Sequence, residues 1–134
     1  MKTNKSKVDA NGQLKNGVYE EHFNDGSLAA VGAFADGEKT GQWKYFLLNG
    51  QLKAGGHYAG GKMTGEWTWY RENGKLMQTG AFGEGERRSG VWKRYDANGA
   101  LVDEGAYDGE KKVGEWRTYN PDSSLKKSTE HKMT

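Results

Sequence analysis

The chain has no cysteine, no isoleucine and a single proline. Without cysteine there are no disulfides, no thiolate nucleophile and no cysteine-ligated zinc. Leu, Val and Phe together supply only 18 of 134 residues, under the roughly 20% below which a strongly charged chain stays disordered. Two facts oppose that outcome: the net charge is only +2, and 12% of the residues are aromatic. No apolar run approaches the ~18 residues that a membrane-crossing helix needs. The N-terminal MKTNKSKVDANG is basic, but no apolar segment follows it. No signal peptide is therefore read, and the expectation is a cytoplasmic protein. What the chain does have in excess is glycine, 21 residues.

The glycines are periodic. Units open at Gly17, Gly41, Gly65, Gly90 and Gly114, with spacings of 24, 24, 25 and 24 residues. The extra residue falls in the closing loop Gly83 to Ser89, where an insertion is cheap. Counting from each opening glycine, the second position is Tyr19, Trp43, Trp67, Trp92, Trp116. The fifth is His22, Phe46, Tyr70, Tyr95, Tyr119, and the eleventh is Leu28, Leu52, Leu76, Leu101, Leu125. The seventeenth is Phe34, Tyr58, Phe82, Tyr107. Asp25-Gly26, Asn49-Gly50, Asn73-Gly74 and Asn98-Gly99 recur between the two halves, with Asp122-Ser123 in the last unit. VDANGQL, ending at Leu14, matches YDANGAL, ending at Leu101. The chain thus divides into a basic N-terminal tail (1–7), one repeat domain (8–125) and a C-terminal tail (126–134). The domain comprises full units 17–40, 41–64, 65–89 and 90–113 between partial units 8–16 and 114–125.

Asn-Gly between apolar-containing runs is a strong hairpin signal, for a two-residue type I′ turn with positive φ at both central residues. Such a turn makes paired positions sum to 17, setting each second-position aromatic across from Gly32, Gly56, Gly80 or Gly105 in its own unit, an aromatic-over-glycine pairing. With side chains alternating between faces, positions two, eleven and seventeen share one face. Position five faces the other way in the absence of a bulge. Asp36-Gly37, Gly60-Gly61 and Asp108-Gly109 turn the chain into the next unit. Helix is disfavoured, because glycine recurs too often and no 3.6-residue period is sustained. The fold class expected is all-β: an elongated, single-layer antiparallel meander of hairpin repeats of about 24 residues, a twisted open sheet or half-barrel in which neighbouring units supply each other's core.

The segments GEWTWYRENGKL…GAF and GVWKRYDANGAL…GAY resemble the MORN repeat, and more narrowly the variant repeat of YwqK-type antitoxin proteins. The likeness covers roughly Gly12 to Leu125. It implies a non-catalytic bacterial β-hairpin repeat protein that binds a partner protein, in some members a neighbouring toxin, along an aromatic groove, with membrane lipid as the competing ligand. The family brings no catalytic residues and no cofactor. The end units depart from its pattern, with Tyr19 and His22 in the first and Pro121 and Ser123 in the last.

The residues agree with a non-enzyme. His22 and His131 occupy framework slots, at positions five and seventeen, and His57 has no second ligand at metal-binding spacing. No serine lies in a nucleophile-elbow context, and Gly83-Glu84-Gly85-Glu86 would repel phosphate. Charge changes sign from unit to unit, from −4 over 17–40 to +3 over 41–64, whereas nucleic-acid binding needs clustered positive charge. No metal, cofactor or nucleic acid is expected.

Subtracting the framework leaves Phe23, Tyr45 and Trp69 as aromatics that the repeat does not require. They lie at positions four and six, on the tryptophan side, where later units carry Arg94, Asp96, Thr118 and Asn120. Phe23, Tyr45, Leu47, Trp69, Arg71 and Arg94 are therefore the candidate partner-binding residues, of the types that anchor protein interfaces, for a protein partner such as a toxin encoded nearby. The alternative surface is a basic row in the inter-unit loops, Lys39, Lys62, Arg87, Arg88, Lys111 and Lys112, for anionic lipid. A structural spacer or self-assembling homo-oligomer is the third reading.

Overall fold

The computed structural model describes residues 7–132. They contain ten strands: β1 Gly17–His22, β2 Leu28–Ala35, β3 Glu38–Phe46, β4 Leu52–Ala59, β5 Lys62–Tyr70, β6 Leu76–Phe82, β7 Arg88–Tyr95, β8 Leu101–Asp108, β9 Lys111–Tyr119 and β10 Leu125–His131. All ten form one sheet in sequence order, every neighbouring pair antiparallel. A 3₁₀ turn at Glu84–Glu86 takes up the extra residue of the third unit. No α-helix occurs among the described residues. The partial first unit contributes an isolated bridge, Val8 to Leu14. Of the 1–7 tail only Lys7 lies within the described residues, where its Nζ meets Glu38 Oε1 at 2.8 Å.

Toward the opening glycines the register is the expected one: Gly41 pairs with Tyr58, Trp43 with Gly56 and Tyr45 with Ala54. The next pair is Phe46 with Leu52, so Lys53 is an extra, bulged residue. The same slip recurs in the other four hairpins. Its origin is the turn. Gly50 N donates to Leu47 O and Leu47 N to Gln51 O, each at 2.8 Å. Gly50 has φ 88, whereas Asn49 stays out of the positive-φ region. The loop is thus a three-residue type I turn closed by a left-handed glycine, not a two-residue I′ turn. Asn49 Oδ1 accepts from Gln51 N at 2.9 Å, which holds the type I geometry from the side chain. The I′ signature appears instead between units, at Asp36-Gly37 (φ 48 and 83) and Gly60-Gly61 (φ 56 and 81). The bulge also corrects the face assignment: each leucine at position eleven stands opposite the aromatic at five, away from the tryptophans.

A second correction concerns the glycine seats. Trp43 pairs in backbone register with Gly56, but its indole lies on Gly32, in the last strand of the preceding unit. Trp67 lies on Gly56, Trp92 on Gly80 and Trp116 on Gly105, each so close that any Cβ there would overlap the ring. Three indole N–H groups then donate to that preceding unit: Trp43 to Ala33 O (3.0 Å), Trp67 to His57 O (3.0 Å) and Trp116 to Ala106 O (2.9 Å). Each tryptophan is therefore a stitch between units. This is how a single layer with few aliphatic residues buries Trp43 completely.

Residues 126–131, set aside as tail, are most of β10, paired with β9 and ending at His131 opposite Gly114. LKKSTEH carries no apolar alternation after Leu125 because both its faces are largely exposed. An edge strand has no burial pattern to betray it.

Candidate functional site

On the tryptophan face the rings form two interleaved series. In one, edge-on contacts run Tyr19–Phe34–Trp43–Tyr58–Trp67, then Phe82–Trp92–Tyr107–Trp116, with centroids 5.0 to 6.1 Å apart. Edge-to-face geometry is the favoured aromatic contact. In the other, two of the surplus aromatics fill the gaps between tryptophans. Tyr45 stacks on Trp43 (6.0 Å) and Trp67 (6.5 Å), and Trp69 on Trp67 (6.0 Å) and Trp92 (5.7 Å). Both are half-buried, over Ala54 and its neighbours. They are core and surface at once.

The six candidate binding residues separate into two places. Tyr45, Trp69 and Arg94 share position four and lie along this ring column. Phe23, Leu47 and Arg71, at position six, sit at the start of the three-residue turns instead. Phe23 and Leu47 border a groove with Phe46 and Leu48, while Arg71 Nη2 donates to Tyr95 O at 2.8 Å and ties one turn to the next. Position six is a turn position, so it leaves the face on which simple alternation would put it.

The basic row separates as well. Lys39 reaches over the rings of Trp43, Tyr45 and Tyr58 at 4.9 to 5.4 Å. Arg88 covers Trp92 and Tyr107, and Lys112 covers Trp116 at 4.4 Å. Lys62, Arg87 and Lys111 each precede the corresponding residue by one and are exposed, with side chains alternating to the other face. The six do not form one lipid-facing row. Sequence reasoning named Lys39, Arg88 and Lys112 only as lipid contacts and missed their role as ring caps, and it missed Lys15 altogether: all four stand two places before an opening glycine, with Met63 at the same place before Gly65. The spacing was visible, but its meaning depended on knowing which face the rings occupy.

Local electrostatics follow from packing. Tyr45 Oη and Tyr58 Oη are hydrogen-bonded at 2.8 Å, and Lys39 Nζ donates to Tyr45 at 3.0 Å. Burial, followed by the shared hydrogen bond, holds the Tyr58 hydroxyl well above the usual phenol range, and burial likewise raises Tyr45. Arg94 grips the buried Asp103 through Nε (3.0 Å) and Nη2 (2.5 Å). That bond raises the Arg94 pKa. Among the described residues no cluster of three or more His, Asp or Glu side chains is placed to hold a metal.

The sequence profile described as "MORN repeat variant" matches residues 63–82 and 88–108. These two segments are MORN-variant repeats. These matches cover the third unit and the fourth, and the same register runs through all ten strands of the sheet. No curated protein matches. Among solved structures, the chain is similar to a mutant of TarM from S. aureus in complex with Fondaparinux, alpha-GlcNAc-glycerol and UDP, at 14% identity and a TM-score of 0.46. The likeness covers 72% of this chain but only 19% of that one, so the chain spans about a fifth of TarM's length.

Proposed function

We propose that this MORN-variant protein is a non-catalytic binding module that neutralises a partner protein, in the manner of the YwqK-type antitoxins that its repeats resemble, by applying the ring-and-cation face to it in the cytoplasm. Repeats of this kind mediate protein or membrane interactions. The observation that carries the protein reading is the continuous column Trp43–Tyr45–Trp67–Trp69–Trp92 capped by Lys39 and Arg88. Trp, Tyr and Arg dominate interface hot spots. Rings already fixed by stacking lose little further freedom on binding. The lipid reading is weaker, because a flat anionic surface would meet only half of the basic residues on either face.

Tyr45 and Trp69 are part of the packing, so their removal would confound binding with folding. The better test reverses the caps. Lys39→Glu with Arg88→Glu should leave the circular dichroism spectrum unchanged and abolish co-purification with the product of the adjacent gene. If that product is toxic when expressed alone, the same variant should no longer rescue growth. Undiminished capture and rescue by the folded variant would rule out this face.

A further inference from the structure

Upstream, each gap between successive tryptophans holds a ring of the protein's own: Tyr45 between Trp43 and Trp67, and Trp69 between Trp67 and Trp92. The next gap, from Trp92 to Trp116, holds the edge-on Tyr107 but no stacked ring at position four. Position four there is Arg94, and its guanidinium is bound to Asp103, the residue that replaces Ala30 and Ala54 of the earlier units. What results is a cleft of about 260 Å³ walled by Trp92, Tyr107 and Trp116. Arg88 and Lys112 line it as well. Arg88 stands 5.3 Å from the Trp92 ring and 5.0 Å from Tyr107, and Lys112 stands 4.4 Å from Trp116. Asp103 balances Arg94, whereas Arg88 and Lys112 have no ion-pair partner among the described residues.

We propose that this cleft binds a planar aromatic carboxylate, its ring between Trp92 and Trp116 as Tyr45 and Trp69 lie upstream, and its carboxylate toward Arg88 and Lys112. The walls supply faces and edges for stacking, and two unpaired cations favour an anion in a site partly shielded from water. The volume falls just short of the roughly 300 Å³ at which pockets for drug-sized ligands begin, so it suits one ring with one charged substituent and not a dinucleotide. The ligand is either a free aromatic acid or an aromatic residue beside a carboxylate in a peptide segment. The site stands whether or not the rest of the face engages a partner protein.

Proton–nitrogen correlation spectra resolve the indole N–H groups of the five tryptophans, and phenylacetate is the probe. Titration should shift the Trp92 and Trp116 signals saturably while Trp43 and Trp67 stay in place. Phenylacetamide, without the charge, and cyclohexylacetate, without the ring, should each bind about tenfold more weakly, the scale of one charge-assisted contact. Arg94→Trp with Asp103→Ala rebuilds the upstream arrangement and should abolish binding in a folded protein. Lys112→Gln, which removes the charge over Trp116 but keeps most of the side chain, should weaken phenylacetate and leave phenylacetamide unchanged. An acetyl-Glu-Phe-Glu amide that binds more tightly than phenylacetate identifies a peptide source, and the reverse order a free acid. Equal affinity for phenylacetate and its amide, shifts as large at Trp43 and Trp67, or undiminished binding by the ring-filled variant would overturn the assignment, as would the absence of saturable shifts with either anionic probe.

Discussion

Gly55 and Gly56 are adjacent in β4, yet their environments are opposite. Gly56 is the seat of the Trp67 indole, and an added Cβ would overlap the ring. The indole is held by Tyr58 edge-on, by Tyr45 and Trp69 stacked against it and by the His57 carbonyl at its nitrogen, so it has little room to yield. Gly56→Ala should therefore cost about 3 kcal/mol or more, at the upper end of overpacking penalties. At Gly55 the added carbon would stand 3.5 Å from the Trp43 carbonyl oxygen, an ordinary contact, and φ is not positive there. Gly55→Ala should be neutral within about 0.5 kcal/mol, with a loss of unfolded-state entropy working in its favour. Urea melts of the two variants check both expectations. Equal losses would mean that the indole is not seated as described.

Each hairpin depends on one left-handed residue closing its turn. Gly26, Gly50, Gly74 and Gly99 do this with φ between 85 and 92, and the last hairpin uses Ser123 at φ 75. Left-handed backbone costs a side-chain-bearing residue roughly 1–2 kcal/mol, part of which glycine gives back through its greater freedom in the unfolded chain. Ser123→Gly should stabilise the protein by about 1 kcal/mol, measured by thermal melting, and improve protection of β9 and β10. At this scale the sequence was most and least legible. The order of β1 to β9 and their pairing outside the bulge follow from the 24-residue period and the aromatic slots, because each position recurs in a fixed chemical setting, whereas β10 lacks those slots and was set aside as a tail. The bulge does not follow. Asn-Gly fits either a two-residue or a three-residue turn, and the choice depends on whether the Asn side chain bonds its own backbone, as Asn49 does to Gln51 N. That one choice moved the leucines to the opposite face and took Phe23, Leu47 and Arg71 off the ring column. Tyr45, Trp69 and Arg94 precede the bulge, which is why their face was read correctly.

Across the described residues every strand hydrogen-bonds only to its sequence neighbours, and the ring contacts reach no further than the next strand but one, so stability is a sum of unit and junction terms with no long-range core to average them. The tryptophan stitches carry the junctions, and the series ends where its seat is denied: the residue in β10 equivalent to Gly32, Gly56, Gly80 and Gly105 is Thr129. A Cβ at that point blocks a flat indole, and β10 remains largely exposed. Loss of a stitch should therefore have consequences set by its place in the row. Trp116→Ala removes the junction nearest that end. It should fray β9 and β10 while amide protection in β1 to β8 persists, because those strands retain Trp43, Trp67 and Trp92. Trp67→Ala removes an internal junction and the ring against which Tyr45 and Trp69 both stack. It should cost about 3–5 kcal/mol, the range for deleting a large buried aromatic, and should lower protection in β3 to β6 before either end is affected. Native-state hydrogen exchange separates the two cases strand by strand. A uniform loss of protection in both variants would instead require the sheet to unfold as one cooperative body, which nearest-neighbour stitching does not allow.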